Sequence, residues 1–421
     1  MSSQNSSQNS SQNSSQNSSQ NSSQNSSQNS SQNSSQNSTH SRGSQIRKVK
    51  YDSWTRRGAR RTFRFTNSLV LVISVIAYLS VLVSPEFFWL SGFVSMLIPF
   101  CLIANVFFVF LWWWAKRWYA LYSLFVLLIG FPFWQASVSV GGIWKESFDK
   151  DKSYLSVLSY NVREFDVYQQ KDNNFTITKN IIKWVKNDTS DIKCIQDFYN
   201  SETAKLFNTR EQLAAQDSDK PYYFHVRYTS VNHNRGQFGI AIFSKYPFIN
   251  KGEVPFRVRT DNGAIFVDIV KKYKNRNDTI RIYNIHLESM SINQNELKLI
   301  AQPEETILYA GKRLKKGFPV RAQQIQTIAD HIETSPYPVI LCGDFNDLPY
   351  SYTYFKLRRS LKNAFESKGL GTEFTLNGRL FFLRIDNQFY DTQKLNCLYF
   401  NTHREISFSD HYPIRSIYEI E

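Results

Sequence analysis

Three long stretches without a charged residue dominate the first 145 positions. One runs between Arg64 and Glu86, and within it Leu69 to Val83 is almost continuously apolar. The second runs between Glu86 and Lys116 and ends in Trp112-Trp113-Trp114. The third lies between Arg117 and Lys145, with Trp118, Tyr119 and Trp134 near its ends. A helix needs about 20 apolar residues to cross a bilayer, and aromatic side chains favour the interfaces. Three such runs, with basic and aromatic flanks, predict three transmembrane helices over residues 65–144 rather than buried helices of a soluble core.

The Lys/Arg bias predicts their orientation. Arg42 to Arg64 holds nine Lys/Arg against one acid, Asp52, so residues 42–64 form a basic juxtamembrane segment expected in the cytoplasm. The first loop, around Pro85-Glu86, lacks Lys and Arg and is expected outside. Lys116-Arg117 returns the second loop inside. The chain after the third span then emerges on the extracytoplasmic face.

From residue 152 the pattern changes. Short β-rich runs (Leu155–Tyr160, Ile192–Gln196, Ile240–Ser244, Ile265–Val270, Ile280–Ile285, Pro338–Cys342) alternate with helical patterns at Thr178–Lys186 and Ala322–Ile332. Such alternation indicates a mixed strand-and-helix domain over 152–421. Residues 288–320 are polar and basic and suggest an insertion or a helical excursion.

Composition adds to this picture at the N-terminus. Residues 2–37 are nine tandem copies of Ser-Ser-Gln-Asn. They carry no apolar surface whose burial could offset ordering entropy, so residues 1–41 are expected as a disordered tail. No apolar segment begins before about residue 65, which argues against a signal peptide. The net charge of +15 divides into 13 Lys/Arg against 4 Asp/Glu over residues 1–150, and 37 against 31 over 151–421. The strongest basic signal therefore lies beside the membrane segments, and a modest domain charge gives little support for a phosphate-tracking nucleic-acid face. Lys312-Arg313-Leu314-Lys315-Lys316 suits such a patch, an anionic headgroup or a solvated face. Cys101, Cys194, Cys342 and Cys397 match no zinc spacing and no disulfide framework.

Candidate chemistry sits just after the apolar strands, where an α/β scaffold presents catalytic side chains. In chain order the words are Ser159-Tyr160-Asn161, Ile195-Gln196-Asp197, Asn284-Ile285-His286-Leu287, Gly343-Asp344-Phe345-Asn346, Arg384-Ile385-Asp386 and Ser409-Asp410-His411. A single Asp or Asn in such a place is more often a turn former or a cap. The set is chemically coherent. Carboxylates and an amide oxygen suit a hard cation such as Mg²⁺, and a His held by an Asp can act as a base or stabilise charge.

These words and their order resemble the endonuclease/exonuclease/phosphatase family, DNase I-like metal-dependent phosphoesterases, over roughly residues 153–421. Gly239 to Pro247 also looks like a family core strand. The resemblance implies an α+β fold: a four-layer α/β sandwich of two packed β-sheets flanked by helices, with the active site at one end. It implies Mg²⁺ (or Mn²⁺) held by Asn161 and Asp197 with Asp410 close by. Asp344 would orient or deprotonate the attacking water, and Asn346 would help hold the phosphate. His411 would contact the scissile phosphate with Asp386 fixing its tautomer, and His286 would bind another phosphoryl oxygen. Whether His411 or Asp344 is the general base stays open at this point.

One position departs from the family pattern: the metal carboxylate after the second strand is usually Glu, and here it is Asp197. A catalytically degenerate binding or scaffold module with the same fold is therefore the alternative to a membrane-anchored phosphodiesterase or phosphatase. The partners expected are the lipid bilayer and a phosphoester substrate (phospholipid-type, inositol phosphate or nucleic acid), with no obligate protein partner evident. Asp191, Glu202, His225, His233, His331 and His403 match no motif and are expected to be structural or exposed. A transporter-like reading is disfavoured, because no span carries an intramembrane charge.

Overall fold

The structure, a computed structural model, describes residues 34–144, 146–168, 175–215, 221–232, 235–257, 260, 262–289, 303–378 and 382–421. The chain divides into two compact units, 1–66 and 67–421. In the first, the described part is the start of helix α1 (Ser34–Ser80). The tail expected over 1–41 lies outside the described residues up to position 33, and from Ser34 the chain is helical. Once nucleated, a helix extends at one hydrogen bond per residue fixed, so the basic segment carries the helix back into the repeat.

Among the described residues, two helices are long and apolar enough to cross a membrane: the Arg57–Ser80 part of α1, and Leu90–Trp114, which comprises α2 (Leu90–Ser95) and α3 (Ile98–Trp114). The third expected span is not one straight helix. It is a pair, α4 (Ala120–Ile129) and α5 (Phe131–Ser137), bent by 62°. Gly130 and Pro132 sit at the break, where proline removes a backbone donor and clashes with the preceding turn. Small polar groups join the helices. Asn105 Nδ2 donates to Ser74 Oγ at 2.8 Å, and Ser123 Oγ donates to Asn67 Oδ1 at 2.9 Å.

Residues from 153 onward build two packed six-stranded sheets. The first has the order β11-β12-β1-β2-β4-β3, from β1 (Ser153–Asn161), β2 (Ile192–Asn200), β3 (Tyr223–Val231), β4 (Gln237–Ser244), β11 (Leu395–Thr402) and β12 (Ile414–Ile420). The second has the order β5-β6-β7-β8-β10-β9, from β5 (Phe248–Glu253), β6 (Gly263–Tyr273), β7 (Arg276–His286), β8 (Val339–Asp344), β9 (Lys362–Asn363) and β10 (Asp386–Tyr390). All six expected strands fall within these. Each sheet centres on a parallel pair, β1–β2 and β7–β8, joined by α6 (Thr176–Asn187) and α8 (Pro303–Glu333) respectively, while the short α7 (Thr209–Ala214) follows β2. The excursion expected over 288–320 is thus partly helix α8, while residues 290–302 lie outside the described set.

Leu155, Val157, Ile242, Val267, Ile282 and Ile340 are among the residues closing the core between the sheets, with Cys194, Cys342 and Cys397 as small buried fillers. The outer faces pack on helices, giving two further clusters around Ile181 and Ile325. One polar brace crosses the core: Gln196 Nε2 donates to Asn284 Oδ1 at 2.6 Å, and Asn284 Nδ2 donates to the carbonyls of Ile195 and Ala241. Buried amides cost free energy unless satisfied, so this brace fixes how β2 and β7 face each other. Each amide lies one or two residues before a candidate catalytic side chain.

Candidate active site

The parallel pairs explain why the site exists at one end. Asn161, Asp197, His286 and Asp344 lie at or near the C-terminal ends of β1, β2, β7 and β8. Asp386 opens β10, which runs antiparallel to β8 and sets Asp386 opposite Asp344. His286 is likewise in register with Asp344. His411 precedes β12, which runs antiparallel to β1.

Local backbone geometry aims several of these groups. β2 carries a bulge between Ile195 and Phe198, and Asp197 there adopts a left-handed φ of 49°. A bulge of this kind re-aims a side chain at a site. Gly343 has a φ of 150°, and a Cβ on it would meet the Ile285 carbonyl oxygen at 1.9 Å. Glycine is thus required directly before Asp344.

A cleft of about 540 Å³ is lined by Asn161, Asp197, His286, Asp344, Asn346, Asp410 and His411, together with Thr260, Asn262, Glu288 and Ser289. Asp386 lies behind His411: His411 Nδ1 is 2.9 Å from Asp386 Oδ2, and Nε2 is 3.7 Å from Asp344 Oδ2. Asp344 also accepts from Asn161 Nδ2 at 3.0 Å and from the Asn346 N–H at 2.8 Å, and it faces His286 Nε2 at 3.6 Å. His286 Nδ1 lies 3.3 Å from Asp197 Oδ1. Asn346 Nδ2 donates to the Leu287 carbonyl at 3.0 Å. All eight expected residues therefore belong to one connected neighbourhood.

Sequence reasoning missed Thr260, Asn262, Glu288 and Ser289. They follow or precede strands with no distinguishing word around them, and no local signal marks them. It also missed Arg163, whose Nε lies 3.5 Å from Asp410 Oδ2. Asp191, Glu202, His225, His331 and His403 lie elsewhere with structural partners; Asp191, for example, accepts from the Ser156 N–H and hydroxyl. His233 lies outside the described residues.

Burial disfavours charge on both Asp344 and His411, and their neighbours decide the outcome. For Asp344 burial dominates and lifts its pKa above the ordinary carboxylate value, with His411 and His286 opposing. For His411 burial pulls the pKa down, but the carboxylates of Asp386 and Asp344 outweigh it and raise it well above the ordinary imidazole value. The two carboxylates thus favour the protonated form of His411.

Two groups of residues have donors of the kind that holds a metal. Asn161, Asp197 and Asp410 offer only oxygens on the open cleft, the set a hard divalent ion takes. Asn161 Oδ1 accepts from the Arg163 N–H at 3.0 Å and keeps a second lone pair. Asp344, Asp386 and His411 also bring three ligand-type atoms within 4.8 Å of one another. In that buried group the Asp386 oxygen is already taken by His411 Nδ1, so it serves better as a proton-holding relay than as a cation site.

The model of the Endonuclease/Exonuclease/phosphatase family matches residues 158–411. A domain of unknown function (DUF8431) matches residues 60–137. Among solved structures, an endonuclease/exonuclease/phosphatase from Bacteroides vulgatus is 18% identical with a TM-score of 0.47, covering 64% of this chain and 100% of that one. The human Nocturnin catalytic domain with bound sulfate is 16% identical with a TM-score of 0.44, covering 64% and 98%. Humanized D. rerio TDP2 is 14% identical with a TM-score of 0.42, covering 63% and 98%. No curated protein matches the chain.

Proposed function

The chain belongs to the endonuclease/exonuclease/phosphatase family, and from that premise we propose that it is a membrane-anchored phosphoester hydrolase dependent on Mg²⁺ or Mn²⁺. Members of the family are typically hydrolases acting on phosphoesters. The observation that carries the proposal is the convergence of acidic, amide and imidazole groups from both sheets on one open cleft.

Asn161, Asp197 and Asp410 would hold the divalent ion, which when bound would neutralise a phosphoryl oxygen and stabilise the leaving oxygen. The raised pKa of Asp344 suits it to take a proton from the attacking water. The cationic His411, oriented by Asp386, donates from Nε2 to a phosphoryl oxygen. His286 and Asn346 bind the remaining oxygens. Water oxygen adds to phosphorus, one P–O ester bond breaks, and the proton ends on the departing oxygen.

Membrane anchoring with the domain on the extracytoplasmic side follows the Lys/Arg bias. Contacts within the second unit support the same arrangement. Gln323 Nε2 on α8 donates to Glu86 Oε1 in the first loop at 3.1 Å, and Lys315 Nζ sits 4.2 Å from the centre of the Trp89 ring. We read these contacts as setting the first loop and the catalytic domain on one side, with the bent α4–α5 pair as a third crossing.

The test is hydrolysis by the full-length protein in detergent of bis-p-nitrophenyl phosphate, plasmid DNA, an inositol phosphate and sphingomyelin, with Mg²⁺, Mn²⁺ or EDTA. Metal-dependent turnover abolished by Asp344→Ala and His411→Ala is expected. A folded protein inert on all four would instead establish the degenerate-site reading, which the shorter Asp197 carboxylate favours.

A further inference from the structure

Beside the catalytic cleft lies a second cavity of about 510 Å³ with an almost wholly apolar lining. One wall comes from the membrane helices, through Pro99, Ile103 and Trp134. The other comes from the catalytic domain, through Leu348, Phe374 and Leu383. Ile103 is 65% exposed and the neighbouring Phe100 69%, so the helix wall faces outward as a lipid-contacting surface does. The volume falls within the roughly 300–1,000 Å³ usual for ligand pockets.

The domain wall is built from the two loops that also carry the active site. Leu348 stands two residues after Asn346, in the turn that follows β8. Leu383 stands three residues before Asp386, and its carbonyl accepts from the N–H of Thr375. The Thr375 hydroxyl in turn accepts from the N–H groups of Ile385 and Asp386. On the same loop, Leu376 forms a β-bridge with His411 and the Asn377 N–H donates to the Asp410 carbonyl. A chain lying in the groove would therefore end beside the groups that contact the phosphate.

The exposed basic run on α8 docks against the first loop. Phe318, one turn beyond Lys315, packs edge-on against Phe93 of α2 at 5.2 Å. Phe318 also fills the space that a side chain at Gly92 would need. This docking sets Lys315 over the Trp89 ring, with Lys312, Arg313 and Lys316 within one turn of it on α8, a basic run that suits anionic headgroups at an interface.

We infer that the groove takes an acyl chain of a membrane phospholipid whose phosphoester enters the catalytic cleft, so that the substrate is a bilayer lipid. The inference rests on the membrane-anchored hydrolase reading. An apolar slot continuous with the spans holds a chain that never leaves the bilayer, and soluble nucleic acid has no group to fill it. Cleavage needs no reactant beyond water.

The experiment uses the full-length protein reconstituted in vesicles of dioleoyl phosphatidylcholine, phosphatidylinositol and sphingomyelin. Ile103→Trp and Met96→Trp fill the groove without touching the cleft. Excluding two or three methylenes, at about 0.8 kcal/mol each, predicts a loss of ~10-fold or more in vesicle-lipid turnover. Hydrolysis of bis-p-nitrophenyl phosphate should stay unchanged. A phospholipid with a photoreactive acyl chain should crosslink to the groove in the parent protein and lose that crosslink in both variants. Unaltered lipid turnover in the variants would overturn the inference. So would turnover of the soluble ester or of DNA with none of lipid, an outcome that leaves the hydrolase reading standing. Groove crosslinking without turnover of any substrate would uphold the lipid site and overturn the hydrolase reading.

Discussion

His411 Nδ1 lies 2.9 Å from Asp386 Oδ2, and that carboxylate is itself set opposite Asp344 in the β8–β10 register. One imidazole therefore stands between two acids supplied by adjacent antiparallel strands. The arrangement fixes its orientation and favours its charged form, and it separates two roles that the motifs alone leave undivided. In the mechanism proposed above, the buried Asp344 takes the proton and the protonated His411 meets the phosphate.

Asp386→Asn keeps the shape of this pair and removes its charge. An amide can also favour the wrong tautomer of the ring, an effect worth up to about 10⁴ in kcat in a Ser-His-Asp triad. A loss of ~10²-fold or more in kcat is expected here. The pH profile should move as well. His411 acts protonated, so activity falls as pH rises through its pKa, and losing Asp386 lowers that pKa. The alkaline limb of kcat/KM should shift to lower pH, and an unshifted limb would remove His411 from the protonated role.

Asp344→Asn should abolish turnover and stabilise the fold. The Asp344 pKa is raised above 3.8 mainly by burial, so the folded state binds its proton more tightly than the unfolded chain. Stability from this group is present at low pH and declines as pH rises through the window above 3.8. An amide makes similar hydrogen bonds without the buried charge, and a gain of about 1 kcal/mol at neutral pH is expected. Denaturant unfolding in EDTA reads this directly, and the gain should vanish near pH 3.

Lys193 offers a stability test away from the cleft. It points from β2 into the packing against α6, where its ammonium donates to the Val185 carbonyl at 2.7 Å and lies 4.7 Å from the centre of the Tyr222 ring. Burial, with a contribution from Lys245, lowers its pKa from 10.5 to about 7. The unfolded chain binds this proton more tightly, so folding is penalised at and below neutral pH and the penalty fades as pH rises from about 7 to 10.5. Lys193→Met should raise the melting temperature at pH 6–7 by an effect on the order of 2 kcal/mol. The advantage should shrink at pH 10, and a variant less stable at both pH values would show that the carbonyl contacts outweigh desolvation.

The central strands were legible because parallel strands buried on both faces read as apolar runs: Val339–Cys342 is continuous, and Ile280–Ile285 keeps apolar residues around Arg281 and Asn284. Their last residues were legible for the same reason, since a polar group that ends such a run sits at the mouth of the sheet. Strand β3 was not legible. Its residues Tyr223–Val231 are mostly half-buried and mix Arg, His, Ser and Thr with aromatics, so neither period stands out. The break at Gly130-Phe131-Pro132 was visible as letters but is weak against the hydropathy of the whole stretch. Thr260, Asn262, Glu288 and Ser289 reach the cleft only through the folding of loops. The contact of Phe318 with Phe93 joins segments too distant in sequence for any local pattern to pair them.

The bent α4–α5 pair bears on which side of the membrane the catalysis occurs. If it crosses, the first loop and the catalytic domain lie together outside, and Lys116-Arg117 lies inside. If it only dips and returns, the domain shares a side with Lys116-Arg117 and is parted from the first loop, contrary to the contacts of Glu86 and Trp89 with α8. Single cysteines at Ser84 and Lys116, with a third at the exposed Asn275 of the catalytic domain, separate the cases. The native cysteines add little background, because all four are buried. In intact cells a membrane-impermeant maleimide should label Ser84→Cys and Asn275→Cys, and Lys116→Cys should be labelled only after permeabilisation. Labelling of Ser84→Cys without Asn275→Cys before permeabilisation would place the catalytic cleft in the cytoplasm. That result would also redirect the search for substrate to the inner leaflet, while leaving the groove and the cleft joined as they are.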